Sequence, residues 1–198
     1  HVCEIWDEPD EGIWAFRDES RHYVHSKLLC WVALDRGIEL AERHDRDAPV
    51  DRWRDERTAV REAILEHGYN ESAGSFVQHF DTDEALDATC LLIPVHEFLP
   101  ADDDRVQSTI DTVLEELLTD EGLVYRTKYS EAVPDEHSTF VFCSFWLVDA
   151  LVLAERVDEA REIFTNILEY TTPLGLLSER VDPVTGELLG NFPQVFSH

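Results

Sequence analysis

Four short stretches of this 198-residue chain place a glycine ahead of aromatic, charged or amide side chains. They are Gly12-Ile13-Trp14, Gly74-Ser75-Phe76-Val77-Gln78, Gly122-Leu123-Val124-Tyr125-Arg126 and Gly175-Leu176-Leu177-Ser178-Glu179. These residue types suit carbohydrate. Flat rings stack on pyranose faces, and Arg and carboxylates grip hydroxyls when a concave site brings a few of them together. Metal and disulfide chemistry finds less support. Cys3, Cys30, Cys90 and Cys143 are isolated, with no Cys-x-x-Cys pair and no His at ligand spacing. Cysteines of this kind behave as small hydrophobes, and reduced thiols suit the cytoplasm. His22 and His25 share a helix face at i, i+3, but no further ligand joins them. No metal and no cofactor are expected.

Such stretches need elements that bring them to one place. Segments of helical period run over His22–His44, Pro49–Glu66, Ala85–Phe98, Arg105–Leu118, Phe140–Glu155 and Val157–Tyr170. Asp102-Asp103-Asp104 reads as the cap of a helix entry. A short extended piece around Gly74 to Val77 is the one strand-like segment. Strongly apolar helices alternate with amphipathic ones. A helix that is apolar all round is buried, and one with a charged face lies outside. The order therefore predicts an all-α fold, a partial (α/α)6 toroid of helical hairpins with alternating inner and outer helices. One hairpin takes roughly fifty to sixty residues, a weak repeat. A plain bundle or solenoid has a similar pattern. In a toroid, however, every loop that enters an inner helix emerges at the same end, so the four stretches would converge on one mouth.

Composition bounds the rest. The formal net charge is -27, and Lys27 and Lys128 are the only lysines. That sign argues against nucleic acid. The long patterned apolar segments argue against a disordered acidic chain. A surface adapted to molar salt fits best, since there the Debye length is about 3 Å and like charges are screened. A cytoplasmic, high-salt setting is expected. The longest apolar run, Phe140 to Ala154, contains Asp149 and is too short to span a membrane. No linker interrupts residues 1–198, which read as a single domain. The chain opens at His1-Val2-Cys3 and closes at Phe196-Ser197-His198 inside an unfinished motif. It is expected to be a segment of a longer protein.

Longer blocks carry a resemblance. Pro9-Asp10-Glu11-Gly12-Ile13-Trp14, the run Arg21 to Arg36, Phe142 to Leu151, and the closing stretch from Gly175 through Asp182-Pro183-Val184-Thr185-Gly186-Glu187 to His198 follow one another in consistent order. Together they resemble glycoside hydrolase family 15, the glucoamylase and trehalase family. The resemblance implies the C-terminal half of a six-hairpin catalytic barrel, with the rest of the parent domain as partner. It also implies inverting, exo-acting α-glucosidase chemistry on α-1,4-glucan ends or on α,α-trehalose, with an oligosaccharide or disaccharide as ligand. Inverting glycosidases use two carboxyl groups about 6.5–9.5 Å apart, one as acid and one as base for water.

The resemblance carries the base onto Glu179, after Ser178, and the acid onto the residue following Trp14. That residue is Ala15, which has no proton to give. An engineered substitution, a naturally impaired binding or regulatory homologue, and rescue by Glu11 or Glu19 are the open explanations. Trp14 and Arg126 are implied sugar contacts, and Glu187 is implied to shape the loop of the base. The plainer alternatives are a solvated acid at Glu179, an ion pair of Arg126 with Glu131 or Asp135, and core packing for Trp14 and Trp146.

Overall fold

Val24, Leu28, Trp31, Leu34, Ile38 and Ala41 recur at helical spacing, and all are buried on one face of α2 (Val24–Arg43). The computed structural model describes residues 1–15, 20–80, 82–83, 85–128 and 139–198. A short α1 (Val2–Ile5), which the sequence reading lacks, precedes α2. Helix α3 (Val50–His67) returns along α2 and buries only Val60 and Ile64, leaving its charged residues outside. It stops at Gly68, whose N–H donates to the Ile64 carbonyl at 2.9 Å.

The second apolar segment is shorter than expected. In place of a helix over Ala85–Phe98, a 3-10 turn (Ala88–Leu91) runs into α4 (Leu92–Val95). Three residues set these limits. Asp87 caps the first turn through the Thr89 N–H, Pro94 has no N–H to donate back along the helix, and Glu97 takes a left-handed φ of 62°. Leu86 through Pro94 are still buried without a break. Asp103 accepts from the Arg105 N–H at 3.0 Å and opens the amphipathic α5 (Asp104–Glu116), as the acidic run predicts. Helix α6 (Val141–Leu153) buries Val141, Cys143, Ser144, Leu147, Ala150 and Leu151, and α7 (Val157–Leu168) packs back on it.

The inner helices touch in sequence: α2 meets the 88–91 turn, and 88–95 meets α6. With α3, α5 and α7 outside them, three hairpins form a partial toroid. Two small sheets tie the loops. β1 (Tyr69–Asn70) pairs antiparallel with β2 (Ser75–Phe76), the extended piece expected near Gly74. β3 (Thr139–Phe140), β4 (Arg180–Val181) and β5 (Leu188–Leu189) form an antiparallel sheet in that order, which two-residue strands leave without a period-two signal. Among the described residues no helix is long and apolar enough to cross a membrane.

The first turn of α2 holds a pH-sensitive group. Burial, then the neighbouring His96, push the His25 imidazole down to about 4, against a smaller opposing pull from Asp10. Between that value and its ordinary 6.5, the unfolded chain binds a proton that the folded chain excludes. Stability from this group is therefore complete above pH 6.5 and is lost as pH falls through 4. The whole effect is on the order of 3 kcal/mol. Urea midpoints across that range should fall, and the fall should shrink in His25→Gln.

Candidate active site

The N–H of the first residue of each inner helix has no partner within its own helix. The structure supplies one in the same way three times. Val24 N–H donates to the Gln78 carbonyl (3.0 Å), Ala88 N–H to the Arg126 carbonyl (2.8 Å) and Val141 N–H to the Glu179 carbonyl (3.1 Å). Gln78, Arg126 and Glu179 each stand four residues after the glycine of their stretch. Each loop is therefore fastened to the start of the preceding inner helix. Three polar side chains gain equivalent anchors at one end of the toroid, the convergence that the alternation predicts.

The first loop is fixed by Asp10. Its Oδ1 accepts from the Gly12 N–H (2.7 Å) and from the Ser26 hydroxyl (2.6 Å), and its Oδ2 lies 3.6 Å from the buried Lys27 ammonium. Lys27 also donates to the Glu8 carbonyl. Asp10 and Arg21 exchange backbone hydrogen bonds across the base of the loop. Ala15 sits on the turn with φ 52°, a left-handed conformation uncommon for residues other than glycine, and its side chain is exposed. Glu11 is exposed on the same turn. Glu19 lies outside the described residues.

Trp14 is half-buried, and it packs against the core while its ring joins an aromatic cluster. Its ring centroid is 5.8 Å from that of Phe140, 6.1 Å from Phe142 and 6.4 Å from Trp146. The Arg126 guanidinium lies over both Trp14 (5.7 Å) and Phe140 (5.5 Å), and Arg180 lies over Phe140 (5.7 Å). Cations over ring faces are attracted by the ring quadrupole. Loops one, three and four thus meet on Phe140. Trp146 belongs to this cluster while packing on the core. Glu131 and Asp135, the alternative partners of Arg126, lie outside the described residues.

Glu179 directly precedes β4 and is half-buried. Its Oε2 accepts from the Asn191 N–H at 2.8 Å, and its own N–H donates to the Asn191 carbonyl at 2.9 Å. Between them lies Gly190, at φ 76°, where a Cβ would stand 2.6 Å from that carboxylate oxygen. Gly190→Ala is expected to cost about 1–2 kcal/mol from the left-handed backbone alone. It should also push the carboxylate off Asn191, which a thermal melt and a crystal structure of the variant would read. Glu187 is exposed in the turn between β4 and β5, where its carbonyl accepts from Asp182 N–H.

Asp87, Phe140 and Arg180 escape the sequence reading as site residues. Asp87 had a signal, an acid two residues before Thr89 at the head of an apolar run. His22 and His25 part company, His22 stacking on Phe80 and His25 entering the core. A cavity of 270 Å³ against Ser75, Leu86, Glu116 and Lys128 shares none of the clustered side chains, has no ring in its lining, and holds Lys128 in an ion pair with Glu116.

Rings, guanidinium groups and a fastened carboxylate thus stand on loops at one end of a helical toroid. A family model described as "Glycosyl hydrolases family 15" matches residues 1–198, and the chain belongs to that family. It is 45% identical over 196 residues to a trehalase of Mycobacterium tuberculosis, covering 98% of this chain and 28% of that protein. It is 34% identical over 194 residues to a trehalase of Thermoplasma volcanium, covering 98% and 31%. The chain thus spans about a third of the length of these curated relatives. A solved structure described as a wild-type glycosidase superposes with a TM-score of 0.83 at 19% identity, over 99% of this chain and 54% of that one. A family 15 glucoamylase from Hypocrea jecorina gives 0.75 at 14% identity, over 99% and 43%.

Proposed function

We propose that these residues form the second half of a six-hairpin catalytic toroid that hydrolyses an α-glucosidic bond with inversion, with α,α-trehalose as substrate. One observation carries the reading: Trp14 and Arg126 meet on Phe140, which pairs with Arg180, the residue next to Glu179. Glu179 is the general base that activates water. Position 15, one residue beyond Trp14, is the place of the general acid. Trp14 and Arg126 hold the sugar, and Glu187 shapes the loop of the base. Relatives described as trehalases at up to 45% identity favour trehalose. Hydrolysis of α-1,4-glucan ends takes second place, because the glucoamylase likeness at 14% identity speaks for the fold.

Leu29 and Leu40 on α2, and Phe192, Val195 and Phe196 near the last residues, are exposed. They support the remainder of a catalytic domain as the partner. The charge of -27 supports a high-salt setting and opposes nucleic acid as a ligand, while four free cysteines support the cytoplasm. A specific observation favours one rival, a sugar-binding or regulatory homologue without turnover: the methyl group of Ala15. The hydrogen bonds that hold Glu179 oppose it, since binding alone has no need of a base.

Calorimetric titration with trehalose, glucose and maltotriose in molar potassium chloride tests the reading. Trehalose and glucose should bind, and Trp14→Ala should weaken both. Failure of all three sugars to bind overturns it.

A further inference from the structure

Among the described residues Asp87 is the only buried carboxylate. Removing a carboxylate from water costs several kcal/mol unless its oxygens are well partnered. Oδ1 accepts from the Thr89 N–H at 2.8 Å and caps the 88–91 turn. Oδ2 accepts two side-chain donors from other loops, the Trp14 indole Nε1 at 2.7 Å and the Gln78 amide at 2.9 Å. The next residue, Ala88, donates to the Arg126 carbonyl. Three of the four glycine-led loops are therefore tied at this one point.

A helix cap explains only the first of these bonds. Ser, Thr or Asn would cap as well, and none needs a charge or a reach to an indole. Burial drives the Asp87 carboxyl above the usual range, and its three donors pull the other way. The second oxygen has a different use. One carboxyl oxygen has two lone pairs and can accept from two donors at once. At Nε1 it fixes the tilt of an indole that packs against the rings of Phe140, Phe142 and Trp146. The Arg126 guanidinium rests on that same indole face.

We propose that Asp87 is a positioning residue of the sugar site, which sets the plane of the Trp14 indole and the place of Gln78, and through Trp14 the place of Arg126. The proposal rests on the reading of Trp14 as a sugar platform. It adds Gln78, anchored as Arg126 and Glu179 are, to the side chains that face the ligand.

Asp87→Ser separates this role from capping, because serine keeps the cap and loses the reach to Trp14 and Gln78. The test uses trehalose titration together with the fluorine resonance of 5-fluorotryptophan at position 14, assigned by its loss in Trp14→Phe. Asp87→Ser should weaken trehalose about tenfold, the equivalent of one hydrogen bond, and shift the Trp14 resonance. Added to Trp14→Phe, which has no N–H to hold, it should weaken trehalose only by the smaller part carried by Gln78. A folded Asp87→Ser protein with unchanged affinity and an unmoved resonance overturns the proposal, and so does full additivity with Trp14→Phe. Should Asp87→Ser not fold, Gln78→Leu and slow hydrogen exchange of the unmodified Trp14 indole decide: fast exchange overturns the proposal. Absence of sugar binding by the unmodified protein would instead remove the platform reading, while the exchange and resonance results still decide what holds the indole.

Discussion

Ala15→Glu is expected to raise trehalose hydrolysis by about 10²–10⁴-fold, the ordinary worth of a positioned general acid. The leaving sugar oxygen must be protonated as the glycosidic bond breaks, and a methyl group cannot do it. The site accepts the longer side chain. Ala15 already holds the left-handed backbone and its Cβ is exposed. Stability should therefore change by no more than about 0.5 kcal/mol. Glucose release in molar salt measures the gain. The pH profile should acquire a limb that falls as pH rises, because the introduced carboxyl works only while protonated. Equal and negligible turnover of both forms, with sugar binding intact, would show that the acid does not belong at position 15.

In the Ala15→Glu background, Glu179→Gln should abolish most of that gain, again about 10²–10⁴-fold in kcat. KM should change little. The choice of glutamine matters. Its amide oxygen can still accept the Asn191 N–H that Glu179 Oε2 accepts at 2.8 Å, so the loop stays in place while the basic oxygen is lost. A stability loss alongside the activity loss would point to a structural acid. A kcat loss at constant melting temperature would assign the base. Activity equal to that of Ala15→Glu alone would remove Glu179 from the mechanism.

The helices were legible because burial leaves a mark on every turn. Leu28, Trp31, Leu34 and Ile38 repeat at the spacing of one face, and α3 and α5 show the charged faces of outer helices. The glycine-led stretches were legible as loops with sugar-binding side chains. Their mutual fastening was not, because it runs through the carbonyls of Gln78, Arg126 and Glu179, and any residue has a carbonyl. The helix expected over Ala85–Phe98 was overstated by its apolar run, which does not register that Pro94 lacks a donor. Asp87 was overlooked for a related reason. A single acid at a helix start reads as a cap, and its second oxygen finds partners only when Trp14 and Gln78 arrive from distant loops. The sheet that follows directly on Glu179 has strands of two residues, below any periodic signal.

The three carbonyl-to-helix bonds also prescribe an order of events as the chain folds. The hairpins α2/α3 and α6/α7 join neighbouring segments across short turns and can form early. Each rung of the mouth instead needs the next hairpin before the start of the previous inner helix is satisfied, and the Thr139 to Val181 contact bridges 42 positions. Closing such loops carries an entropic cost that local helix formation does not. Nascent hairpins should therefore gain helicity well before the mouth is fastened together.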